Sequence, residues 1–214
     1  MEDILLIGGG GHCRSVIDSI QATNQFNIVG ILDTKDNIGK SILGVEIVGE
    51  DKDMALYRKK GIQNAFNTIG STGDIRLRYK ISQLIINEQF HMPNIIDPTA
   101  IVSDSTTLGS GIFIGKGAIV NVNASLCDHV IVNSGAIVEH DVTIESYCHI
   151  APGTTISGGV FIGEGTHIGT NSTIIQGVQI GSYCLIGAGS VVVKNIDDNK
   201  KAFGNPCKEV GSNE

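Results

Sequence analysis

The sequence predicts a chain in two parts: an α/β unit that opens strand, helix, strand, followed by a triangular prism of short parallel strands. Three observations carry this. A six-residue aliphatic repeat runs through the C-terminal half, an apolar strand followed by a glycine turn opens the N-terminal half, and glycine accounts for 28 of 214 residues while Trp is absent. That glycine share is well above the usual ~7% and implies a backbone that turns often.

The first elements follow in order. Ile4–Ile7 is an apolar run of strand length, Gly8–Gly11 supplies a turn, a helix begins near His12, and a second strand, Ile28–Leu32, ends at Asp33. This is a βαβ opening of Rossmann-like type. A short strand near Val45–Val48, a helix near Lys52–Lys60, a strand at Ala65–Ile69 and a helix from about Asp74 come next. Ser71 and Asp74 have the spacing of a capping box. Pro93 and Pro98 bracket the passage into the repeat, so the expected divisions are 1–92, 93–205 and a tail at 206–214.

From Val102, every sixth residue to Val192 is Leu, Ile or Val, and two residues before each stands a side chain that is mostly small and never charged. Positions two apart share a face of an extended chain. Each hexad therefore points one large and one small side chain inward before a corner, and three hexads close one coil of 18 residues. Gly or Asn just after the large residue, as at Gly109, Gly115, Asn121, Asn133, Gly163, Gly169, Gly181 and Gly187, is expected to take positive φ there. Five coils at roughly 4.8 Å each give a prism about 24 Å long.

A formal charge of −7 with no basic patch argues against nucleic acid as partner. The N-terminus is acidic and no segment approaches the ~20 apolar residues of a membrane span, so a cytoplasmic location without membrane contact is expected. Five cysteines with no CxxC pair fit reduced thiols better than a disulfide framework or a structural zinc site. Cys148 and Cys184 fall in the small inward slot and read as core.

Three motifs carry chemistry. The turn GGGGH at 8–12 offers backbone N–H groups at a helix start, where a phosphate is stabilised, with Asp33 placed to accept from a ribose or base; a purely structural tight turn is the alternative. His140 stands at a prism corner between Glu139 and Asp141, and a carboxylate beside an imidazole sets its tautomer and raises its basicity, as in a general base. An isolated corner histidine would be plain surface. His149 and His167, 18 apart, stack on the outside of one face about 5 Å apart, as a substrate contact at His149, a surface residue at His167, or two ligands of a metal site. His129 and His91 read as surface.

GGGGH after the first strand, Asp33 after the second, VNSGAIVEHD at 132–141, HIAPG at 149–153, the IGAGSVVVKN run and GNPCK at 204–208 together resemble the hexapeptide-repeat sugar-nucleotide acetyltransferases of the bacillosamine and perosamine pathways, with the sialic acid O-acetyltransferases as relatives. The resemblance covers nearly the whole chain. It implies a left-handed parallel β-helix, a homotrimer, and acetyl-CoA as co-substrate with no metal. The implied reaction is N-acetylation of a UDP-, dTDP- or GDP-linked amino sugar; O-acetylation of sialic acid or another sugar is the alternative, and a zinc enzyme of carbonic anhydrase type a more remote one. His140 is then the general base, oriented by Asp141 or by Glu139, since some members carry Glu at the position of Asp141. The same matching implies that Asn133 and His149 line the acetyl-transfer site, that the Gly158 N–H lies near the thioester carbonyl, and that Thr170 and Ala188 flank the CoA arm. Gly9, Gly10, Gly11, His12, Asp33, Gly70 and Ser71 are the expected sugar-nucleotide contacts.

Overall fold

A computed structural model describes residues 1–213. The chain forms two compact units: Met1–Gly70 with Arg76–Pro98, and Ser71–Ile75 with Thr99 onward. Among the described residues no helix is long and apolar enough to cross a membrane.

In the first unit, β1 (Glu2–Ile7) is followed by α1 (Gly11–Thr23) and β2 (Phe26–Leu32). Then come β3 (Ser41–Ile42), β4 (Val45–Gly49), α2 (Met54–Lys59), β5 (Asn64–Asn67) and α3 (Arg76–Asn87). The sheet order is β3-β4-β2-β1-β5, parallel except for the β3–β4 pair. Ile4 to Ile7 are fully buried, as central strands covered on both faces require. Helix α1 buries Cys13, Val16, Ile17 and Ile20, a single helical stripe, and stops where Asn24 adopts the left-handed conformation with φ 51°. Because β1 has β2 on one side and β5 on the other, the crevice at a switch point opens at its C-terminal end. The glycine turn stands there.

The capping box read at Ser71 and Asp74 is corrected. Helix α3 begins at Arg76, and Ser71–Ile75 packs with the second unit. A capping box does occur at Glu50 and Asp53, where the Asp53 carboxylate accepts from the Glu50 N–H at 2.8 Å.

The second unit is a left-handed parallel β-helix whose strands pair with the residue 18 further along, as in Ile119 with Ile137 and Ile137 with Thr155. One face holds six strands and another five, and the third ends in an antiparallel pair of Lys200–Phe203 with Lys208–Ser212. From Ile114 to Val192 every sixth residue is at most 1% exposed, so the aliphatic column forms the core. Val102 and Leu108 are partly exposed, because no coil stacks beneath them.

The corner glycines act differently from the expectation. Positive φ falls two residues later, at Gly111, Gly117, Asn123, Gly135, Asp141 and their successors. Gly163 and Gly169 are glycine because the next coil lies against them: an added Cβ would come 2.5 Å from the Ser182 and Ala188 nitrogens respectively. The constraint is close approach of backbone rather than handedness.

Candidate active site at the prism corners

His140 sits at the corner between strands Ile137–Val138 and Thr143–Ile144. Asp141 has φ 59°, and this turn brings its carboxylate back to the ring, where Oδ2 accepts from His140 Nδ1 at 2.8 Å. Of the two flanking acids, Asp141 is the one that pairs. A carboxylate only accepts, so Nδ1 carries the hydrogen and Nε2 keeps its lone pair for a substrate proton. The bond from His140 holds the Asp141 carboxyl below the usual carboxylate range, and a longer one from Asn123 Nδ2, at 3.4 Å, adds to this. The imidazole is half exposed. One coil on, at the same corner, stands Gly158, where an added Cβ would lie 2.5 Å from His140 Cε1 and Nε2. The ring is seated on the space that glycine leaves. Val122 one coil below and Ile175 and Val193 above leave apolar surface at this corner.

A second polar group occupies the preceding corner of the same coil. His149 Nδ1 donates to the Ser71 carbonyl at 2.7 Å, and Asn133 Nδ2 lies 3.2 Å from His149 Nε2. Asn133 Oδ1 accepts from the Ser134 N–H at 2.8 Å. Thr170 and Ala188, both exposed, continue this corner upward, with the Gly189 N–H bonded to Thr170 O at 2.8 Å. His149 and His167 pair in register with ring centroids 4.9 Å apart, edge to face. Both are only 8% exposed, which corrects the surface reading of His167. Burial lowers the proton affinity of His167. His129 is corrected likewise: it is 6% exposed and packs on Tyr147 with centroids 4.7 Å apart. No group of three or more His, Cys, Asp or Glu side chains that could hold a metal ion occurs among the described residues.

In the first unit, Asp33 Oδ2 accepts from the Gly9 N–H at 2.7 Å and Oδ1 from the Thr34 N–H. Asp33 therefore pins the glycine turn. Gly8, at φ 106°, takes the left-handed region, while Gly10 and Gly11 face open space at the start of α1, whose N-cap has no side-chain bond. Burial, reinforced by the Arg78 guanidinium, pushes the His12 pKa down to about 3, so the imidazole is neutral. A Cβ added at Gly70 would lie 3.4 Å from the His12 Cβ. Gly9, Gly10, Gly11, His12, Asp33 and Gly70 thus gather at the C-terminal end of the central strands, whereas Ser71 lies with the prism. Sequence reasoning missed Asn123, although it stands 18 residues before Asp141, and the carbonyl of Ser71, for which no local signal exists.

A left-handed β-helix bearing an imidazole–carboxylate pair at a corner defines an acyltransferase of the hexapeptide-repeat class. The PglD N-terminal domain family matches residues 3–85, and the bacterial transferase hexapeptide family matches 123–158 and 159–194. Among curated proteins none matches. A solved perosamine N-acetyltransferase, PerB from Caulobacter crescentus, in complex with CoA and GDP-perosamine, is 36% identical over 99% of this chain and 98% of its own, with a TM-score of 0.92. Two further structures of that enzyme carry a histidine replaced by Asn or Ala. The acetyltransferase domain of PglB from Neisseria gonorrhoeae FA1090, in complex with acetyl coenzyme A, is 31% identical over 98% of this chain and 99% of its own, with a TM-score of 0.90. The chain belongs to this group of hexapeptide-repeat sugar acetyltransferases.

Proposed function

We propose that this protein transfers the acetyl group of acetyl-CoA to the amine of a nucleotide-linked amino sugar, with His140 as general base. The observation that carries the mechanism is the His140–Asp141 bond at 2.8 Å on an exposed corner, with the ring seated over Gly158. The amine attacks the thioester carbonyl as a neutral nucleophile, and Nε2 of His140 takes its proton. Asp141 stabilises the imidazolium that forms, and the Gly158 N–H donates to the developing oxyanion. The C–N bond forms, the C–S bond breaks, and the proton held by His140 passes to the departing thiolate. No covalent enzyme intermediate is involved.

The sugar nucleotide binds at the Gly9–His12 turn, whose uncapped helix start suits a diphosphate. Acetyl-CoA runs along the corner of Asn133, Thr170 and Ala188. Asn133 and His140 occupy neighbouring corners of one prism, a side of on the order of 15–20 Å apart. One thioester meets both only if a second copy supplies the other corner, so the active form is a closed ring of three copies. The apolar surface of Val122, Ile175 and Val193 beside His140 supports a covered corner.

The test is thiol release from acetyl-CoA across UDP-, dTDP- and GDP-linked amino sugars, with GDP-perosamine first in the panel and sialic acid as the hydroxyl arm. Release with one amino sugar and none with sialic acid is expected. Release only with the hydroxyl acceptor, or with none, overturns the assignment.

A further inference from the structure

The segment Ser71–Ile75 has no regular secondary structure, yet it packs with the prism. It crosses the face that carries His149, His167 and Leu185, which are consecutive rungs of one column. Gly73 has φ +99°, and an added Cβ there would lie 3.2 Å from Leu185 Cδ1. Its carbonyl accepts from Asn213 Nδ2 at 3.4 Å. Ile75 fills the space over Gly165, where an added Cβ would meet its Cδ1 at 2.8 Å. Contacts at both ends hold the segment down as a strap.

The strap sets a protonation pattern. A carbonyl oxygen only accepts, so the 2.7 Å contact with Ser71 O puts the hydrogen of His149 on Nδ1. Nε2 is then an acceptor and requires the nitrogen of Asn133, at 3.2 Å, to face it. The opposite amide orientation would set Oδ1 against a lone pair and forfeit the Ser134 N–H bond at 2.8 Å. The edge of His167, at 4.9 Å from the His149 centroid, closes the other side of the ring.

We infer that the strap Ser71–Ile75 is a positioning element for acetyl transfer: through the tautomer of His149 it fixes Asn133 as an N–H donor toward the carbonyl oxygen of the acyl donor. The inference rests on the placement of acetyl-CoA at the Asn133 corner. Ser71 thus acts through its carbonyl on the acyl side rather than as a sugar-nucleotide contact. The arrangement is a buried second layer that orients a ligand-facing amide, as in sites whose outer partners fix a histidine tautomer.

The test combines a tautomer measurement with kinetics. Nitrogen-15 NMR of the histidine-labelled, ligand-free full chain should show His149 with its hydrogen on Nδ1. In Gly73→Val, which lifts the strap off Leu185, His149 should lose its single tautomer, and kcat/KM for acetyl-CoA should fall about tenfold, the loss of one neutral hydrogen bond. If that variant does not fold, His149→Asn serves instead. It retains a donor for Ser71 O but cannot reach Asn133, and the same fall is expected in the folded variant. His149 found protonated on Nε2, or either variant with wild-type kinetics toward acetyl-CoA, overturns the inference. Failure of every amino sugar to release thiol would strike the substrate assignment alone, because the tautomer is read without substrate.

Discussion

Replacing Gly158 with alanine adds one methyl group at the point where the His140 ring rests. The added Cβ would stand 2.5 Å from Cε1 and Nε2, and ordinary van der Waals contact begins near 3.4–4 Å, so the ring must retreat by about 1 Å. Gly158 is not among the positive-φ residues; alanine is tolerated by the backbone and the effect belongs to the Cβ alone. The half-exposed imidazole has room to swing outward, which keeps the cost to folding small. The swing carries Nε2 out of line with the attacking amine and stretches the bond to Asp141. A misplacement of this size costs on the order of 10²-fold in rate, near the low end of what loss of a general base costs, about 10²–10⁴-fold. Thiol release under saturating acetyl-CoA and sugar nucleotide reads kcat, and thermal unfolding checks the fold. Gly158→Ala with kcat within threefold of the parent would refute the seating of His140 on this corner and with it the geometry of proton transfer.

Three further outcomes are expected. Asp141→Asn should lower kcat roughly tenfold through loss of a charge-assisted bond, while Glu139→Gln should stay within twofold; equal effects would return the choice of orienting acid to open ground. His12 has a folded pKa of about 3 against 6.5 for the free group. Its contribution to stability is therefore complete above pH 6.5 and lost as pH falls toward 3, amounting to about 2 kcal/mol by pH 5, and His12→Asn should flatten the urea midpoint between pH 7 and pH 5. Of the five free cysteines, Cys13, Cys148 and Cys184 are fully buried, and burial pushes the Cys13 thiol to about 11. A thiol reagent at pH 8 should titrate at most Cys127 and Cys207 in the native protein and all five after denaturation.

The prism was legible because its core position obeys a volume rule renewed every six residues, and the phase read from Val102 to Val192 is the one that buries the column. Corner chemistry was legible only in part. The glycines at Gly163 and Gly169 announce a corner, but the reason for them is backbone one coil ahead, 18 to 19 residues on, which a local reading of φ cannot sense. Glu139 and Asp141 looked equivalent around His140, and the left-handed turn at Asp141 decides between them. The burial of His129 depends on Tyr147 in the next coil. Ser71 looked like a helix cap because its spacing to Asp74 mimics one, whereas its segment packs with the prism and its carbonyl accepts from His149, 78 positions away.

The 18-residue pairing also gives the molecule a unit of growth. Inserting 18 residues adds one storey of roughly 4.8 Å and returns every later side chain to the edge it held before. Inserting six turns everything above by a third of a revolution and hands each edge to a different neighbour. The edge from Asn133 through Thr170 to Ala188 is therefore graduated in whole storeys, like a ruler laid beside an extended ligand. On the proposed placement of acetyl-CoA, lengthening it by one mark would carry the contacts at Thr170 and Ala188 one storey further from Asn133, with no residue at the corner of His140 exchanged.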